Sequence, residues 1–569
     1  MPGVIAILCR CCGQIDPAVD LAAVREKIAR EDGVVSVEVR ESLCLPEDGA
    51  AIEKAVRDSG ADRIVVAACS PYGKAGEIVS TLSRLANRPQ IRLVDIREGC
   101  AWIHREDREG ATAKACDLLR MALGFFRYGA RSADAAVPVH PACLVVGAGS
   151  AGLAAAVSVA RAGYPVHLVE RGAAGGGMLR MISRVYPSDA AADEKLRPYL
   201  EEVERNPRIS FHPRTRVAAA TGFAGDFKIR LASEVGGENV RVGAVILATG
   251  AGAWLPRGLY RYGELRNVLT LMELERRGRE GKGAAKRTVF IQCVGARCPE
   301  LPYCAAMCCP SSIKNAVALR KSDPDAEVTI LHRDIMMPGH ILERYYRNAL
   351  NAGVRFVRYD AEKPPVVSGG AQVERVEVFD VINGISRTIA ADQVVLSTPL
   401  VAGSDNARLS EIFRIPLDRY GFFREDYPLH PLETRMGGIF LCGSARWPVS
   451  SGEAVTQGEG AAAKALAILG RERISALSMG RMPEGKFGHA RVENRFCTGC
   501  GNCVAVCPYE ACALQRMGPA RVSRVNKMRC RACGSCTAVC PNGTVQMPEH
   551  NARAVGAMIR RAFAEEDFR

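Results

Sequence analysis

The sequence predicts a multidomain α/β protein that closes on a small α+β domain, and three observations predict it. Short apolar strands alternate with helical stretches from Val4 to about Gly470, the pattern of open sheets with helical crossovers. Two of those strands, ending near Val146 and Ile291, run into turns followed by long helices, which marks two dinucleotide-type (Rossmann-like) units. The segment 491–569 instead carries two cysteine runs of identical spacing. A length of 569 residues with 48% hydrophobic content is ample for several packed cores.

Residues 1–135 form the first α/β unit, with strands predicted near Val4–Leu8, Val34–Val39, Arg63–Ala68 and Ile91–Val94. Each is followed by cysteine: Cys9, Cys11 and Cys12 after the first, then Cys44, Cys69 and Cys100. If the sheet is parallel, all of these stand at its carboxyl edge, where ligands of open α/β sheets bind. Four strands delivering thiols to one edge predict a [4Fe–4S] site with Cys11, Cys44, Cys69 and Cys100 as ligands, Cys9 or Cys12 being alternatives to Cys11. A redox-active thiol group and plain packing are the competing readings.

The second unit opens on the strand Pro141–Val146, which runs into Gly147-Ala148-Gly149-Ser150-Ala151-Gly152, an alanine-rich helix to about Gly163, and a strand Val166–Val169 ending at Glu170. Gly147 makes the tight turn, Gly149 admits a pyrophosphate with Ser150 beside it, and Gly152 lets helix and strand pack. Glu170 is placed for ribose hydroxyls. The stretch Val245–Gly250, with Thr249 and Gly250, and the stretch Gly438–Gly443 match the second and late motifs of flavoproteins with two dinucleotide domains, which favours FAD over NAD. Ser444 follows Gly443 where those families usually have Asp, so the ribityl contact must differ.

The third unit has the strands Thr288–Ile291 and Val328–Leu331 around a helix through Lys314–Arg320, yet its strand–helix turn lacks close-approach glycines. It holds Cys293, Cys298, Cys304, Cys308 and Cys309 instead. A pyrophosphate is disfavoured there, whereas thiolates at a helix N-terminus are stabilised by its dipole. The spacing predicts a [4Fe–4S] cluster on Cys293, Cys304, Cys308 and Cys309, with Cys298 as the alternative to one of them and a packed cysteine cluster as the bland reading.

At the C-terminal end Cys497, Cys500, Cys503 and Cys507 precede Pro508, and Cys530, Cys533, Cys536 and Cys540 precede Pro541. This is the bacterial ferredoxin pattern written twice, in which the fourth cysteine of each run ligates the other cluster. Cys497, Cys500, Cys503 and Cys540 are therefore expected to hold one [4Fe–4S] cluster, and Cys530, Cys533, Cys536 and Cys507 the second. Structural zinc is the alternative, since paired cysteines also build zinc ribbons. Two such centres predict electron transfer.

Twenty-three cysteines without an export-type leader argue for a reducing, cytoplasmic compartment, and no apolar run is long enough to span a membrane. The formal charge of +14 does not predict nucleic-acid binding, because the arginines are scattered. Four clusters and a flavin would offset it, to about +4. Cys116, Cys143, Cys442 and Cys512 are expected to be small core residues, Cys442 within reach of flavin.

Taken together, Cys11-Cys12-Gly13, Val65–Ser70 with Pro71, Arg97–Trp102, Phe290–Gly295, Tyr303-Cys304, Cys308-Cys309, Lys314 and the twin runs closely resemble the heterodisulfide reductase A-subunit family over nearly the whole chain. The resemblance implies a thioredoxin-reductase-like flavoprotein core, FAD, up to four [4Fe–4S] clusters, and an oxidoreductase subunit that splits electron pairs at flavin, with bifurcation as one outcome. It places Lys314 near the flavin, where a cation favours the reduced, anionic ring. Implied partners are heterodisulfide-reductase-like B and C subunits, a hydrogenase or dehydrogenase input module and ferredoxin, with the chain a homodimer within the complex. The chain departs from longer members in having no cysteine between Cys143 and Cys293, hence no inserted ferredoxin domain, and in carrying Arg446-Trp447-Pro448-Val449 after Gly443. Expected boundaries are 1–135, a flavin domain in two parts (139–280 and 396–470), the degenerate nucleotide domain 281–395, a linker 471–490 and the ferredoxin domain 491–569. The rival reading is a stand-alone NAD(P)H-dependent iron–sulfur flavoprotein.

Overall fold

The computed structural model describes residues 3–70, 73–74, 78, 82, 89–128, 136–234, 236–281, 285–426, 430–474, 489–547 and 551–562. It divides into two compact units, Met1–Val137 with Ser475–Arg569, and Pro138–Ile474. Most of the predicted linker lies outside the described residues.

In the first unit the strands β1 (Val4–Cys9), β2 (Val34–Arg40), β3 (Arg63–Ala68) and β4 (Gln90–Asp95) form one sheet in the order β2-β1-β3-β4. Every neighbouring pair is parallel, so the condition set by the sequence is met. β1 is buried at all six positions, as a central strand covered on both faces must be. Helices α1 (Leu21–Ala29), α2 (Pro46–Ser59) and α3 (Arg108–Tyr128) accompany the sheet. α1 begins where the Asp20 carboxylate accepts from the N–H groups of Ala22 and Ala23.

The second unit holds two five-stranded parallel sheets. The first comprises β5 (Cys143–Val146), β6 (Val166–Val169), β7 (Ile209–His212), β8 (Ala244–Leu247) and a late strand, Ile439–Leu441, in the order β7-β6-β5-β8 and then the late strand. Helix α4 (Ser150–Arg161) follows β5 and is buried at nine of its twelve residues, because alanine and valine on all sides let sheet and helices close around it. The second sheet is built from β9 (Val268–Thr270), β10 (Arg287–Ile291), β11 (Glu327–His332), β12 (Arg355–Arg358) and β13 (Gln393–Leu396), in the order β9-β13-β10-β11-β12. Its helices are α5 (Leu271–Arg279), α6 (Cys308–Ser322) and α7 (Gly339–Asn351). The late strand is β14 (Ile439–Leu441), followed by α8 (Ser451–Leu469), which lies so close to α4 that a Cβ on Gly458 would meet the Ala151 carbonyl oxygen at 2.2 Å. The chain thus leaves the first sheet after β8, builds the second, and returns.

The C-terminal part of the first unit has the short helix α9 (Asn502–Val506), the hairpin β15 (Cys512–Met517) and β16 (Ala520–Val525), the single turn α10 (Ser535–Ala538) and a closing helix α11 (Ala552–Ala562). α11 packs on α3: Gly124 is tight enough that a Cβ would stand 2.7 Å from the Ala557 carbonyl oxygen, and Asn551 donates to the Tyr128 carbonyl at 3.2 Å.

Candidate functional site

At the end of β5 the chain turns through Gly147, whose φ of +103° is open to glycine and strained for other residues. At Gly152 a Cβ would fall 1.8 Å from the Gly147 carbonyl oxygen, so this glycine seats α4 on the strand. Gly149 is different. No atom lies within 4 Å of its missing Cβ, which leaves a hollow at the N-terminus of α4. That hollow, fronted by unpaired first-turn N–H groups, fits a pyrophosphate.

The hollow opens into a cavity of about 500 Å³. Gly147, Gly149, Ser150, Glu170, Thr249, Gly250, Gly443 and Ser444 all line it, while Gly152 lies beneath as packing. The Glu170 carboxylate accepts from the N–H groups of Ala148 (2.8 Å) and Gly172 (2.7 Å), which fixes it at the end of β6 with lone pairs to spare for ribose hydroxyls. Gly443 N–H donates to the Gln457 side chain at 2.9 Å, tying β14 to α8. The Ser444 hydroxyl accepts from Val449 N–H at 3.3 Å, so the residue at the usual Asp position also braces the following loop.

Lys314 lines the same cavity from α6. It is not a lone cation. Its ammonium is paired with the Glu275 carboxylate of α5, both side chains being 4% exposed, and also donates to the Arg184 carbonyl at 2.8 Å. Glu275 further accepts from Asn315 Nδ2 at 2.7 Å. The pair presents a dipole to the cavity rather than a full positive charge. Sequence reasoning missed Glu275, because α5 reads Leu-Met-Glu-Leu-Glu-Arg-Arg-Gly-Arg and its acids look solvated. It also missed Asn406, 1% exposed, to which the Thr249 hydroxyl donates at 3.1 Å from 157 residues away.

Beside this cavity the turn after β10 brings four thiols together. Cys293 leaves the strand with φ +60°, Cys304 is exposed on the loop, and Cys308 and Cys309 begin α6. Cys308 lines the flavin-type cavity and bonds to the Thr398 carbonyl at 3.3 Å. Burial, then the neighbouring Cys309, Cys293 and Cys304, push its thiol far up. Cys309 is pushed up to about 11, chiefly by burial, with Cys293 and Cys304 adding to it. Crowded, buried thiols are costly as bare thiolates, and a multivalent metal centre is what removes that cost. Cys298 is held within the loop by its N–H to the Leu301 carbonyl at 3.3 Å.

At the carboxyl edge of the first unit's sheet, Cys9 ends β1, Cys69 follows β3, and Cys11 and Cys12 both have positive φ. Cys9 is pushed up to about 12 by burial, with Cys11 and Cys69 near enough to add to it. Arg97 donates to Cys11 Sγ at 3.1 Å and to Glu98 at 2.7 Å. Cys44 is exposed and bonded with Ser42 at 3.2 Å, and Cys100 is wholly buried in the π-helical turn Arg97–Ala101. The structure therefore joins Cys9, Cys11 and Cys69, and leaves Cys44 and Cys100 at the same edge.

In the C-terminal segment Cys497, Cys500, Cys503 and Cys540 line one hollow, and Cys507, Cys530, Cys533 and Cys536 another. Backbone N–H groups already point at ligand-type sulfurs: Ser523 to Cys497 (3.4 Å), Ala511 to Cys507 (3.3 Å) and Ala490 to Cys530 (3.4 Å). Such donors suit thiolates that carry cluster charge. Among the described residues no group of three His, Cys, Asp or Glu side chains closes tightly enough for a single metal ion. A cubane asks for something wider, one thiolate on each of four irons. Cys512 is buried, as expected, but it also lines the second hollow, and its hydrogen bond holds Cys536 down to about 6.

Residues 141–462 match the pyridine nucleotide-disulphide oxidoreductase family, and residues 489–553 the 4Fe-4S dicluster domain. The chain is 29% identical to the A-subunit of the H(2)/formate:CoB-CoM heterodisulfide,ferredoxin reductase of Methanococcus maripaludis, over 90% of both chains. It is likewise 29% identical to the iron-sulfur A-subunit of the CoB--CoM heterodisulfide reductase of Methanocaldococcus jannaschii, over 92% of this chain and 93% of that one. The crystal structure of T. acidophilum thioredoxin reductase aligns with 58% of the chain and 99% of its own length, at 17% identity and a TM-score of 0.43. No helix among the described residues is long and apolar enough to cross a membrane.

Proposed function

This chain belongs to the pyridine nucleotide-disulphide oxidoreductase family, and on that premise we propose that it is the electron-dividing subunit of a heterodisulfide-reductase-like complex. It is an oxidoreductase that carries FAD and [4Fe–4S] clusters. FAD, when bound, supplies the exchange between an electron pair and single electrons, and the clusters relay single electrons. The chain's own residues set the terms of that exchange. Gly149 and the α4 N-terminus hold the pyrophosphate, Glu170 the ribose, and Thr249, Gly250, Gly443 and Ser444 bound the rest of the cavity. Lys314 and its partner Glu275 both line it and present a paired charge to what the cavity holds.

One observation carries the reading: Cys308 lines both the flavin-type cavity and the thiol group formed with Cys293, Cys304 and Cys309. A wall that would otherwise face a nicotinamide is made of these thiols, so a cluster held by them would border the cavity that would hold the flavin and would supply a one-electron outlet. We assign the twin runs to two further clusters with crossed fourth ligands, and the Cys9, Cys11, Cys44, Cys69 and Cys100 edge to a fourth. Division of the pair between a low-potential and a high-potential acceptor follows the same logic. The partners we assign are heterodisulfide-reductase-like B and C subunits, ferredoxin and a hydrogenase or dehydrogenase input module, in the reducing cytoplasm.

The test is anaerobic. Addition of NADH or NADPH to the purified protein is expected to leave the flavin absorbance unchanged, while dithionite bleaches flavin and clusters. Bleaching by either nicotinamide alone would overturn the proposal in favour of a self-sufficient NAD(P)H oxidoreductase. An iron content of about sixteen per FAD is expected; about eight would confine the clusters to the C-terminal segment.

A further inference from the structure

Resting on the assignment of Cys293, Cys304, Cys308 and Cys309 as cluster ligands, we propose that the Gln292 carboxamide is a hydrogen-bond donor to a sulfur of that cluster and raises its reduction potential. Gln292 is completely buried, and neither its Nε2 nor its Oε1 has a partner. A buried carboxamide with all of its hydrogen bonds unmade is an expensive group, and native structures rarely keep one unless something else completes it.

Its position says what that is. The parallel ladder runs one residue past β10: Gln292 N–H donates to the Leu331 carbonyl and Ser397 N–H to the Ile291 carbonyl, both at 2.9 Å. Strand alternation therefore puts Gln292 on the face of Phe290, whose layer contains Ile330, Val395 and, from α6, Ile313 and Ala316. One step along the same face, the apolar layer ends in a polar row across three strands, Ser397, Gln292 and His332. Ser397 is satisfied by the Ser312 hydroxyl of α6 at 2.8 Å. The Tyr359 hydroxyl, from the other face of the sheet, donates to the Gln292 backbone carbonyl at 2.6 Å and so does not serve its side chain. Gln292 in the middle of the row is left over, as is the Nδ1 of His332 beside it; of the two, Gln292 is next in sequence to Cys293 and on the face that α6 covers with Cys308 and Cys309 at its start. The thiolates of Cys293, Cys308 and Cys309 and the sulfides of a cluster they hold would supply acceptors for it, and N–H···S bonds to a cluster favour its reduced, more negative state.

The experiment is a redox titration of anaerobic holoprotein followed by electron paramagnetic resonance, with iron and flavin counted in the same samples. Gln292→Met keeps the volume and removes both polar atoms. The expected result is retained iron, a reduction equilibrium of the flavin-side cluster shifted about tenfold towards the oxidised form (about 59 mV), and unchanged signals from the C-terminal clusters. Retained iron with an unshifted potential overturns the inference and leaves Gln292 a structural residue. Should the variant not accumulate, wild-type protein labelled with side-chain 15N-glutamine decides: a nitrogen coupling to the reduced flavin-side cluster supports the donor, and its absence overturns it. A wild type lacking iron at these four cysteines overturns the ligand assignment itself, which the iron count separates from a failure of Gln292 alone.

Discussion

Removing one member of the Lys314–Glu275 pair is expected to cost far more than removing both. Each side chain is 4% exposed, so solvent screens neither charge. Glu275→Leu leaves a buried ammonium with a single carbonyl, Arg184, at 2.8 Å. Lys314→Met leaves a carboxylate that still accepts from Asn315 at 2.7 Å and from the Ser183 N–H at 3.3 Å. Breaking a buried pair costs about 3–5 kcal/mol, and the surviving donors place Glu275→Leu near the top of that range and Lys314→Met near the bottom. The double variant, apolar at both positions, is expected to lie within about 2 kcal/mol of wild type, a coupling of several kcal/mol. Anaerobic urea unfolding, read by flavin release and far-ultraviolet circular dichroism, measures all four forms. Single variants that each cost less than about 1 kcal/mol, or a double variant that is simply additive, would refute the reasoning. A second readout concerns function: Lys314→Met lowers the flavin potential and Glu275→Leu raises it, because the two changes remove opposite charges beside the cavity.

The glycines of the turn after β5 separate packing from binding. Gly149→Val has open space and is expected to fold with normal stability but purify without FAD, whereas Gly152→Ala, driven into the Gly147 carbonyl, loses stability as well; thermal unfolding and flavin content distinguish them. Cys540→Ser is expected to remove or degrade the cluster on Cys497, Cys500 and Cys503 and spare the one beside its own run, read as loss of one of two cluster signals; loss of the other signal would refute the crossed assignment. His167 and His212, 3.2 Å apart, are both held below the ordinary value of 6.5, chiefly by burial. The folded state therefore binds fewer protons than the unfolded one, so stability is intact above pH 6.5 and falls as the pH drops below it. His212→Gln should flatten that fall in a melting-temperature series from about pH 7 to about pH 5, and an unchanged slope would exclude the pair as its source.

Much of the architecture was legible because local sequence dictates it. The strand–glycine–helix passage through Cys143–Arg161 can close only one way, since Gly147 and Gly152 leave no room for another side chain. The grouping of the C-terminal cysteines around two hollows was legible for a similar reason, being written in their spacing. The N-terminal edge was only half legible. Parallel pairing brings Cys9 and Cys69 together, but which of Cys9, Cys11 and Cys12 turns inward depends on the positive-φ turn at Cys11 and Cys12 and on Arg97, which comes from beyond β4. Glu275 and Asn406 were invisible because a buried polar residue looks like a solvated one until its distant partner is known.

By itself the sequence determined the order of units, the nucleotide turn, the loss of the second glycine loop and the cysteines available for metal, since each depends on residues close together in the chain. Tertiary structure alone decided which side chains share a cavity. It set Cys308 against the flavin-type hollow, neutralised Lys314 with a carboxylate from another helix, and packed α11 on α3 at Gly124. These contacts join residues far apart in sequence. They are fixed by close packing and by the need to pair buried polar groups, which no local pattern encodes.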